Sequence, residues 1–393
     1  PTILRRQRQM CIRDRLLSFL SYDDFNKWVK KYRGNYKVKD FSCWHQLLCM
    51  LFGQFSQRQS VRDLIVCLKS QRSKWYHLGL GTSLSRSNLA YSNERRDWRI
   101  FSGFAYQVIA RARNTCQGFG ELDVPVTGQV YAIDSSTIDL CLSVFWWAKF
   151  RRQKGAVKLH TQYDIKTDIP NFIHITDGKR HDVHFLDSII YELGAFYIMD
   201  RAYIDFKRLY TLHKASAWFV TRSKTHLNFR RVYSHPKDKA AGIKCDQTIK
   251  LNNFYASRDY PEKLRRIKYY DATEDRTLEF ITNNFELTAT QIAKLYQYRW
   301  KIELFFKWIK QHLKIKVFWG YSENAVRIQI YTAIIAYCLV AIIREKLQIK
   351  HSRYEMLQIL SLTLLNKTPL NQLFNEHAQQ NPKEPTHNQL NLF

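Results

Sequence analysis

The chain has 393 residues, 45% hydrophobic and 15% aromatic, so it can bury sizeable cores and is not a disordered protein. Its length exceeds one ordinary core, which predicts two or three domains. The net charge of +28 is extreme for this length, and Lys and Arg are spread along the chain. This charge predicts broad positive surfaces and a nucleic-acid partner.

The composition argues against a membrane partner and against secretion. No long basic amphipathic helix indicates a membrane surface, and no secretory cleavage site is visible. The longest apolar segment, residues 328–343, is short for a membrane span and is interpreted as a buried helix. The eight cysteines are scattered without a C-x-x-C pair, which predicts reduced thiols in a cytoplasmic protein.

The first fifteen residues stand apart from the rest of the chain. Residues 9–15 are what a sequencing-library adaptor would encode if it were translated, so we interpret residues 1–15 as an assembly scar or disordered arm and exclude them from the fold. A genuine basic arm is the alternative interpretation.

Residues 16–125 are predicted to form an all-helical domain. Apolar residues recur at three- and four-residue spacing in residues 41–49 and 60–68. Residues 84–98 begin with a Ser-led helix start and carry clustered Arg, which is typical of a recognition helix. An ordinary solvated helix explains this segment nearly as well.

The pattern changes to alternating strands and helices in residues 126–222, the first part of a predicted catalytic domain. The predicted strands are residues 130–133, 157–165, 171–176, 195–199 and 218–221, with helices near 184–192 and 204–213. This order predicts an α/β fold with a mixed sheet.

Residues 223–275 are polar, basic and aromatic, and their short predicted strands indicate an inserted β-rich subdomain. A second part of the catalytic domain follows in residues 276–350, beginning with a strand at 278–282. Residues 351–393 are predicted to form a C-terminal helix and then a disordered tail rich in Asn, Gln and Pro.

Four polar side chains near the C-terminal end are predicted to form one stripe of a helix. Tyr296, Arg299, Glu303 and Lys310 lie at relative positions 0, 3, 7 and 14. A carboxylate flanked by cations can bind a metal ion and hold phosphate oxygens, which suits phosphodiester chemistry. A surface helix with spaced ion pairs is the alternative.

Two aspartates follow short apolar runs. Asp134 comes after residues 130–133, and Asp200 after residues 195–199. If the two strands are neighbours, both carboxylates converge at one sheet edge, where Glu303 can join them. Three carboxylates suit a pair of Mg²⁺ ions. For either aspartate alone, a turn or helix-cap role is the better interpretation.

The order Asp134, Asp200, Glu303, with the Tyr–x2–Arg–x3–Glu–x6–Lys spacing, resembles bacterial insertion-sequence transposases of the IS-four type, a group of DDE transposases with a Tyr-Arg-Glu-Lys signature. The sequence from Asp200 to Tyr203 is also similar to that family, although Ala202 stands where Gly is frequent. The resemblance implies an RNase H-like mixed-sheet catalytic domain with an inserted β-rich subdomain, preceded by an all-helical DNA-binding domain.

The resemblance also implies roles for single residues. Asp134, Asp200 and Glu303 would be the catalytic triad that holds two Mg²⁺ ions, with Mn²⁺ as a substitute. The DNA-binding residues Tyr296, Arg299 and Lys310 would contact the phosphates of the transposon end. Arg222 and Lys224, where the chain enters the insertion, would lie against DNA, and a solvated strand end is the alternative for them.

The implied activity is cut-and-paste transposition. The protein would bind terminal inverted repeats as a DNA-bridged homodimer, hydrolyse phosphodiester bonds and join the excised end to target DNA in a bacterial, nucleoid-associated setting. A catalytically inactive DNA-binding inhibitor or remnant is the alternative, and a hydrolytic nuclease on the same scaffold is a second one.

Other polar and aromatic residues near these positions receive no catalytic role. Lys158, His160, His181 and Asp182 lie near the predicted site, but a lone His is usually structural. Aromatic residues of the insertion could stack on a flipped base, but most are expected in the core: Phe229, Tyr233, Phe254 and Tyr255.

The last five residues form a short apolar motif. Gln389, Leu390, Leu392 and Phe393 resemble the peptide by which bacterial DNA-handling proteins bind the sliding clamp. A frayed terminus with chance apolar residues is the alternative.

Overall fold

The computed structural model describes residues 19–363 except 79, 81–83, 119–121, 142, 144 and 152–153, together with 368, 370 and 372–374. The clamp-like motif and the first fifteen residues therefore lie outside the described part. The chain divides into two compact units, each presented separately below. The helical unit comprises Pro1–Val108, His312–Gly320 and Asn324–Phe393, and the sheet unit comprises Ile109–Gln311 and Tyr321–Glu323.

Helices account for most of the helical unit. They are α1 (Tyr22–Lys31), α2 (Cys43–Phe55), α3 (Val61–Ser70), α4 (Arg86–Arg95), α5 (Trp98–Thr115), α10 (Glu323–Lys346) and α11 (Arg353–Thr363), with α5 running on into the sheet unit. Serine hydroxyls accept backbone N–H groups at the N-termini of α1 to α4, which satisfies donors that a helix leaves free.

The apolar helix α10 is the centre of the helical unit. It is the one helix of the described residues that is long and apolar enough to cross a membrane, and 94% of its most apolar window is buried inside the protein. This confirms the buried helix predicted for residues 328–343. The side-chain amide of Asn324 donates to the carbonyls of Asn93 and Arg96 at 2.9 and 2.6 Å, which ties α4 to α10.

A ten-stranded mixed sheet dominates the sheet unit. Its strands are β1 (Val130–Leu140), β2 (Lys149–Arg151), β3 (Lys154–Asp164), β4 (Ile169–Asp177), β5 (Phe196–Met199), β6 (Trp218–Arg222), β7 (Phe229–Ser234), β8 (Ile243–Leu251), β9 (Leu264–Asp271) and β10 (Arg276–Thr282). The order is β2-β3-β1-β5-β6-β10-β9-β8-β7, with β4 also on β3. The mixed α/β sheet expected from the sequence is confirmed.

The helices of the sheet unit are α6 (Phe206–Lys214), α7 (Phe254–Asp259), α8 (Ala289–Gln297) and α9 (Trp300–His312). Only β1, β5 and β6 pair in parallel, while the other pairs are antiparallel. The paired segments of β1 and β5 are buried, as expected for strands covered on both faces.

The strands of residues 223–275, predicted as an inserted β-rich subdomain, extend the main sheet. β9 pairs with β10 along seven residues, and β8 and β7 follow in antiparallel order, so they extend the same sheet. The sequence could not show this, because an edge strand and a separate hairpin have the same local pattern.

Two local predictions differ from the structure. The helix expected near 184–192 is a 3₁₀ helix over Asp182–Ser188, in which the N–H of His184 bonds the carbonyl of His181. The tighter winding buries both Phe185 and Leu186 in the core. The short strand β2 was not expected at all.

A buried ion pair joins β8 to β9. Both carboxylate oxygens of Asp246 accept hydrogen bonds from the guanidinium of Arg265, at 2.9 and 2.7 Å. The two side chains are only 4% and 7% exposed. Arg265 also donates to the carbonyl of Leu287, immediately before α8. This pair therefore connects the extension of the sheet to the segment that carries the candidate site.

We predict that Asp246→Ala lowers the free energy of unfolding by about 3–5 kcal/mol, because it leaves the Arg265 charge buried without a partner. Urea denaturation of the full chain measures the change. The matched control is Glu274→Ala, whose partner Arg276 is 50% exposed; an exposed pair contributes about 0–1 kcal/mol. Similar losses for both variants would contradict this interpretation.

Candidate active site

Strand register places two of the predicted carboxylates side by side. The parallel pairing of β1 with β5 ends at Ile133 opposite Met199, and Asp134 and Asp200 are the next residues of the two strands. Both side chains therefore leave neighbouring strands at the same sheet edge. The carboxylate of Asp200 also caps a short 3₁₀ helix by accepting the N–H of Arg201 at 2.6 Å.

The sequence suggested that Asp134 follows the end of its strand, but the strand continues beyond it. β1 continues to Leu140, with Asp134 opposite Thr161 of β3. Continuous burial of β1 stops at Ile133, where its pairing with β5 ends, and residues 134–137 are half-buried.

The guanidinium of Arg299 joins Asp134 to Glu303. Its Nη1 lies 3.3 Å from Oδ2 of Asp134, and its Nη2 donates to Oε1 of Glu303 at 2.5 Å. The Arg299 side chain is only 17% exposed, so these charges interact with little screening by water. Glu303 is thereby held beside Asp134, in the region where the sequence predicts it.

The charges of Glu303 and Asp200 influence the ionisation of Asp134. Burial raises the pKa of Asp134 to about 6, and the negative charges of Glu303 and Asp200 contribute to the rise. The N–H of Ser135 and the cation of Arg299 oppose it without cancelling it. Asp200 is therefore close enough to influence the ionisation of Asp134.

A metal site is not already assembled in the described residues, where no three Asp, Glu, His or Cys side chains are grouped to hold a metal ion. Arg299 instead supplies the positive charge between Asp134 and Glu303. The donor set nevertheless fits Mg²⁺ or Mn²⁺, which take carboxylate oxygens. Buried polar atoms around it, Nε of Arg299 and the hydroxyls of Tyr296 and Tyr203, have no hydrogen-bond partner among the residues described.

The four signature residues do not lie on one helix, and this prediction is wrong. α8 ends at Gln297 and α9 begins at Trp300, so Arg299 lies in the turn between them. Bonds from residue i to i+3 tighten this turn, including Arg299 N–H to the Tyr296 carbonyl at 3.0 Å.

The break has a tertiary cause. Tyr296 packs α8 against Phe280 of β10, with ring centroids 4.8 Å apart. Lys301 fixes α9 elsewhere on the sheet, since its ammonium donates to the Ile165 carbonyl and pairs with Asp168 at 3.1 Å. Arg299 therefore lies in a turn between two helices that contact different parts of the sheet.

The remaining predicted DNA-binding residues surround this centre. Burial raises the pKa of Tyr296 to about 12, so its phenol is neutral at physiological pH, and Arg222 is near enough to oppose the rise. Lys310 donates to the Thr137 carbonyl of β1 at 2.8 Å. Lys224 donates to the Ile204 carbonyl at 3.2 Å.

An open depression of about 500 Å³ lies beside Asp200 and is lined by Asp200, Arg201, Ala202, Lys224, Thr225 and His226. Its cationic side chains are of the kind that bind phosphates. Ala202, where the similar family often has Gly, lines this depression too.

A polar network that the sequence did not predict lies behind Asp134. Oγ of Ser135 donates to Oδ1 of Asp182 at 2.6 Å, and the Lys158 ammonium lies 3.0 Å from the same oxygen. Burial opposes ionisation of Asp182, but these two partners hold its pKa below the ordinary value. Burial lowers the pKa of His160 to about 4, so its neutral ring is structural, as expected.

The prediction that most aromatic residues of the insertion lie in the core is wrong. Tyr233, Phe254 and Tyr255 are 58%, 72% and 66% exposed. The reason is that β7 is an edge strand and α7 is a short helix without buried residues. Phe229 is half-buried, with the Arg266 guanidinium 4.8 Å from its ring centre.

Comparison with known proteins shows the class of protein to which the chain belongs. The family model for the transposase DDE domain matches residues 126–339, more than half of the chain. The chain therefore belongs to the transposase DDE domain family. Domains of this family generally use divalent metal ions. A domain of unknown function matches residues 9–81.

Similar proteins carry related names. A candidate transposase of Sinorhizobium fredii is 38% identical over 214 residues, which cover 53% of this chain and 59% of that protein. A candidate transposase for an insertion sequence of Geobacillus stearothermophilus is 29% identical, with 53% and 54% covered. One from Synechocystis is 26% identical, with 70% and 76% covered. The chain thus spans little more than half of the first two relatives.

We predict that Asp134→Asn stabilises the metal-free protein at pH 7.5. A raised carboxyl pKa means that the folded state binds the proton more tightly than the unfolded state, so ionisation costs stability as pH rises from about 4 through about 6. The gain should be on the order of 1–2 kcal/mol. Urea denaturation in EDTA measures it, and the difference should shrink near pH 4. A constant difference at both pH values would contradict this cause.

Proposed function

We propose that the chain is a DDE-type DNA transposase that binds the terminal inverted repeats of an insertion sequence. It hydrolyses phosphodiester bonds at the element ends and transfers the freed strands to target DNA by a cut-and-paste route. The observation that carries this proposal is the bridge from Asp134 through Arg299 to Glu303, with Asp200 on the adjoining strand. Membership of the DDE domain family supports it.

The core of the sheet supports an RNase H-like assignment. β4, β3 and β1 are antiparallel neighbours, and β5 and β6 follow β1 in parallel. We infer that these five strands form the RNase H-like core and that β7 to β9 are the insertion between Asp200 and Glu303. The carboxylates then lie at the edge where parallel strands end, which is where open α/β sheets bind ligands.

Asp134, Asp200 and Glu303 would hold two Mg²⁺ ions, or Mn²⁺ in their place. When bound, these ions would activate the attacking water or 3′-hydroxyl and stabilise the leaving oxygen. Burial and the charges of Glu303 and Asp200 raise the pKa of Asp134 even with Arg299 beside it, and a divalent cation at this place would favour the ionised carboxylate.

Arg299 and Tyr296 act on the substrate through atoms that the protein leaves free. Nε of Arg299 and the hydroxyl of Tyr296 are buried and lack hydrogen-bond partners in the described part of the chain. Both can donate to phosphate oxygens, and an Arg–phosphate contact also fixes orientation. The Tyr296 phenol stays protonated because burial raises its pKa to about 12.

The DNA backbone would contact cations on both sides of the carboxylates. Lys310 donates to the Thr137 carbonyl of β1. Arg222 ends β6, and Lys224 lines the depression at Asp200. The net charge of +28 favours DNA in a manner that salt weakens. Because both element ends must be cut, we propose a DNA-bridged homodimer in the bacterial cytoplasm. The clamp-binding tail stays a prediction from sequence.

We predict that Asp134→Asn, Asp200→Asn and Glu303→Gln each lower cleavage of labelled element-end DNA by about 10³-fold or more, because the site acts as one unit. Mobility shift should show unchanged binding to the same DNA. The matched control is Asp139→Asn. Asp139 belongs to β1 and is exposed, and this variant should cleave normally. Cleavage that survives in a triad variant would remove that residue from the site.

The same assay with wild-type protein separates the alternatives. Cleavage with strand joining supports a transposase, and cleavage alone indicates a hydrolytic nuclease. Binding without cleavage indicates an inactive inhibitor or remnant.

We predict that Lys224→Ala reduces the salt dependence of DNA-end binding, because one phosphate contact is lost. The slope of log K against log salt should become shallower by about 0.9. The matched control is Lys214→Ala. Lys214 is exposed at the end of α6. It lies close in sequence to the start of β6, whereas Lys224 follows the end of that strand. Equal slopes for Lys224→Ala and wild type would exclude Lys224 from the phosphate contacts.

A further inference from the structure

Among the residues that the structure describes, the segment of β1 that carries Asp134 has a strand neighbour on one side only. β1 pairs with β5 only through Val130–Ile133 and beyond that point pairs with β3 alone. A strand held along one edge is freer to move than one held along both. The position of a metal-binding carboxylate depends on the rigidity of the backbone beneath it. This segment therefore needs support from another contact.

Asp182 supplies that contact from the opposite face of the sheet. Successive side chains of a strand point to opposite faces, so Ser135 points away from the face of Asp134. The Ser135 hydroxyl donates to Asp182 at 2.6 Å, and its backbone N–H donates to Oδ1 of Asp134 at 2.8 Å. One residue thus links the two carboxylates.

Lys158 balances the charge of Asp182. Its ammonium lies 3.0 Å from Oδ1 of Asp182 and also donates to the Arg180 carbonyl at 3.1 Å. Lys158 belongs to β3 and lies opposite Thr137 of β1. Its side chain is only 14% exposed, so its charge would be left buried without a partner if Asp182 were neutralised.

We propose that Asp182 is a positioning residue for the metal site, which fixes Asp134 through Ser135 and neutralises Lys158 behind it. This inference rests on the proposed function, because it takes Asp134 to be a metal ligand. Residues that orient metal ligands from behind strongly affect metal affinity in other proteins. Asp182 itself would touch neither metal nor DNA.

The test measures Mn²⁺ binding to the full-length, DNA-free protein by electron paramagnetic resonance at pH 7.5. Asp182→Asn keeps a similar shape but loses the charge, so the apparent Kd for Mn²⁺ should rise about 10-fold or more. Asp182→Glu keeps the charge and should restore most of the affinity. Circular dichroism confirms that each variant is folded.

The matched control is Asp187→Asn. Asp187 lies on the same 3₁₀ helix and pairs with Arg208 at 2.8 Å, but it is 50% exposed and belongs to a different ion pair. This variant should bind Mn²⁺ as wild type does. An equal loss of affinity in both variants would mean that only the stability of the 3₁₀ helix matters, and it would overturn the inference.

Two further results would decide the matter. An unchanged Mn²⁺ Kd in folded Asp182→Asn overturns the inference and leaves the proposed function standing, whereas no Mn²⁺ binding by wild type overturns both. If Asp182→Asn does not fold, Ser135→Ala removes only the linking hydroxyl. A weaker Mn²⁺ affinity in Ser135→Ala then supports the inference, and an unchanged one overturns it.

Discussion

The bridge that Arg299 makes between Asp134 and Glu303 is the interaction on which the candidate site depends. Two carboxylates from distant parts of the chain repel each other when both are shielded from water. The guanidinium compensates that repulsion and fixes both side chains with hydrogen bonds. Asp200 joins them through the register of β5 against β1, which is determined by the buried apolar segments. The site is therefore a consequence of charge compensation on top of strand pairing.

The surrounding structure places that guanidinium. Tyr296 packs α8 on β10, and Lys301 holds α9 near the turn between β3 and β4. Arg299 lies in the turn between these two helices and contacts Glu303. Behind the sheet edge, Asp182 holds the segment of β1 that has lost its β5 neighbour. The Asp246–Arg265 pair ties the extended sheet to the start of α8. Each of these contacts is an aromatic contact, a hydrogen bond or an ion pair that involves a strand of the sheet or the turn beside it.

Much of the sheet could be predicted from residue patterns, because buried parallel strands are short apolar runs bounded by polar residues. The runs before Asp134 and Asp200 fall in β1 and β5, and the predicted strand at 218–221 lies within β6. Errors arose where local pattern and tertiary packing disagree. The 3.6-residue period predicted one helix from Tyr296 to Lys310, because periodicity does not show where a helix is broken between two tertiary contacts. The exposure of Phe254 and Tyr255 could not be read from their apolar character.

The sequence by itself determined the charge of the chain and its α/β order, because composition and apolar runs are local properties, and it predicts the three acidic residues through a family resemblance. Only the tertiary structure decided that Arg299 lies between Asp134 and Glu303, that β7 to β9 extend one sheet, and that Asp182 supports β1 from behind. These features depend on contacts between residues far apart in the chain. Such contacts are chosen by packing and charge compensation among many elements at once, and no single segment encodes them.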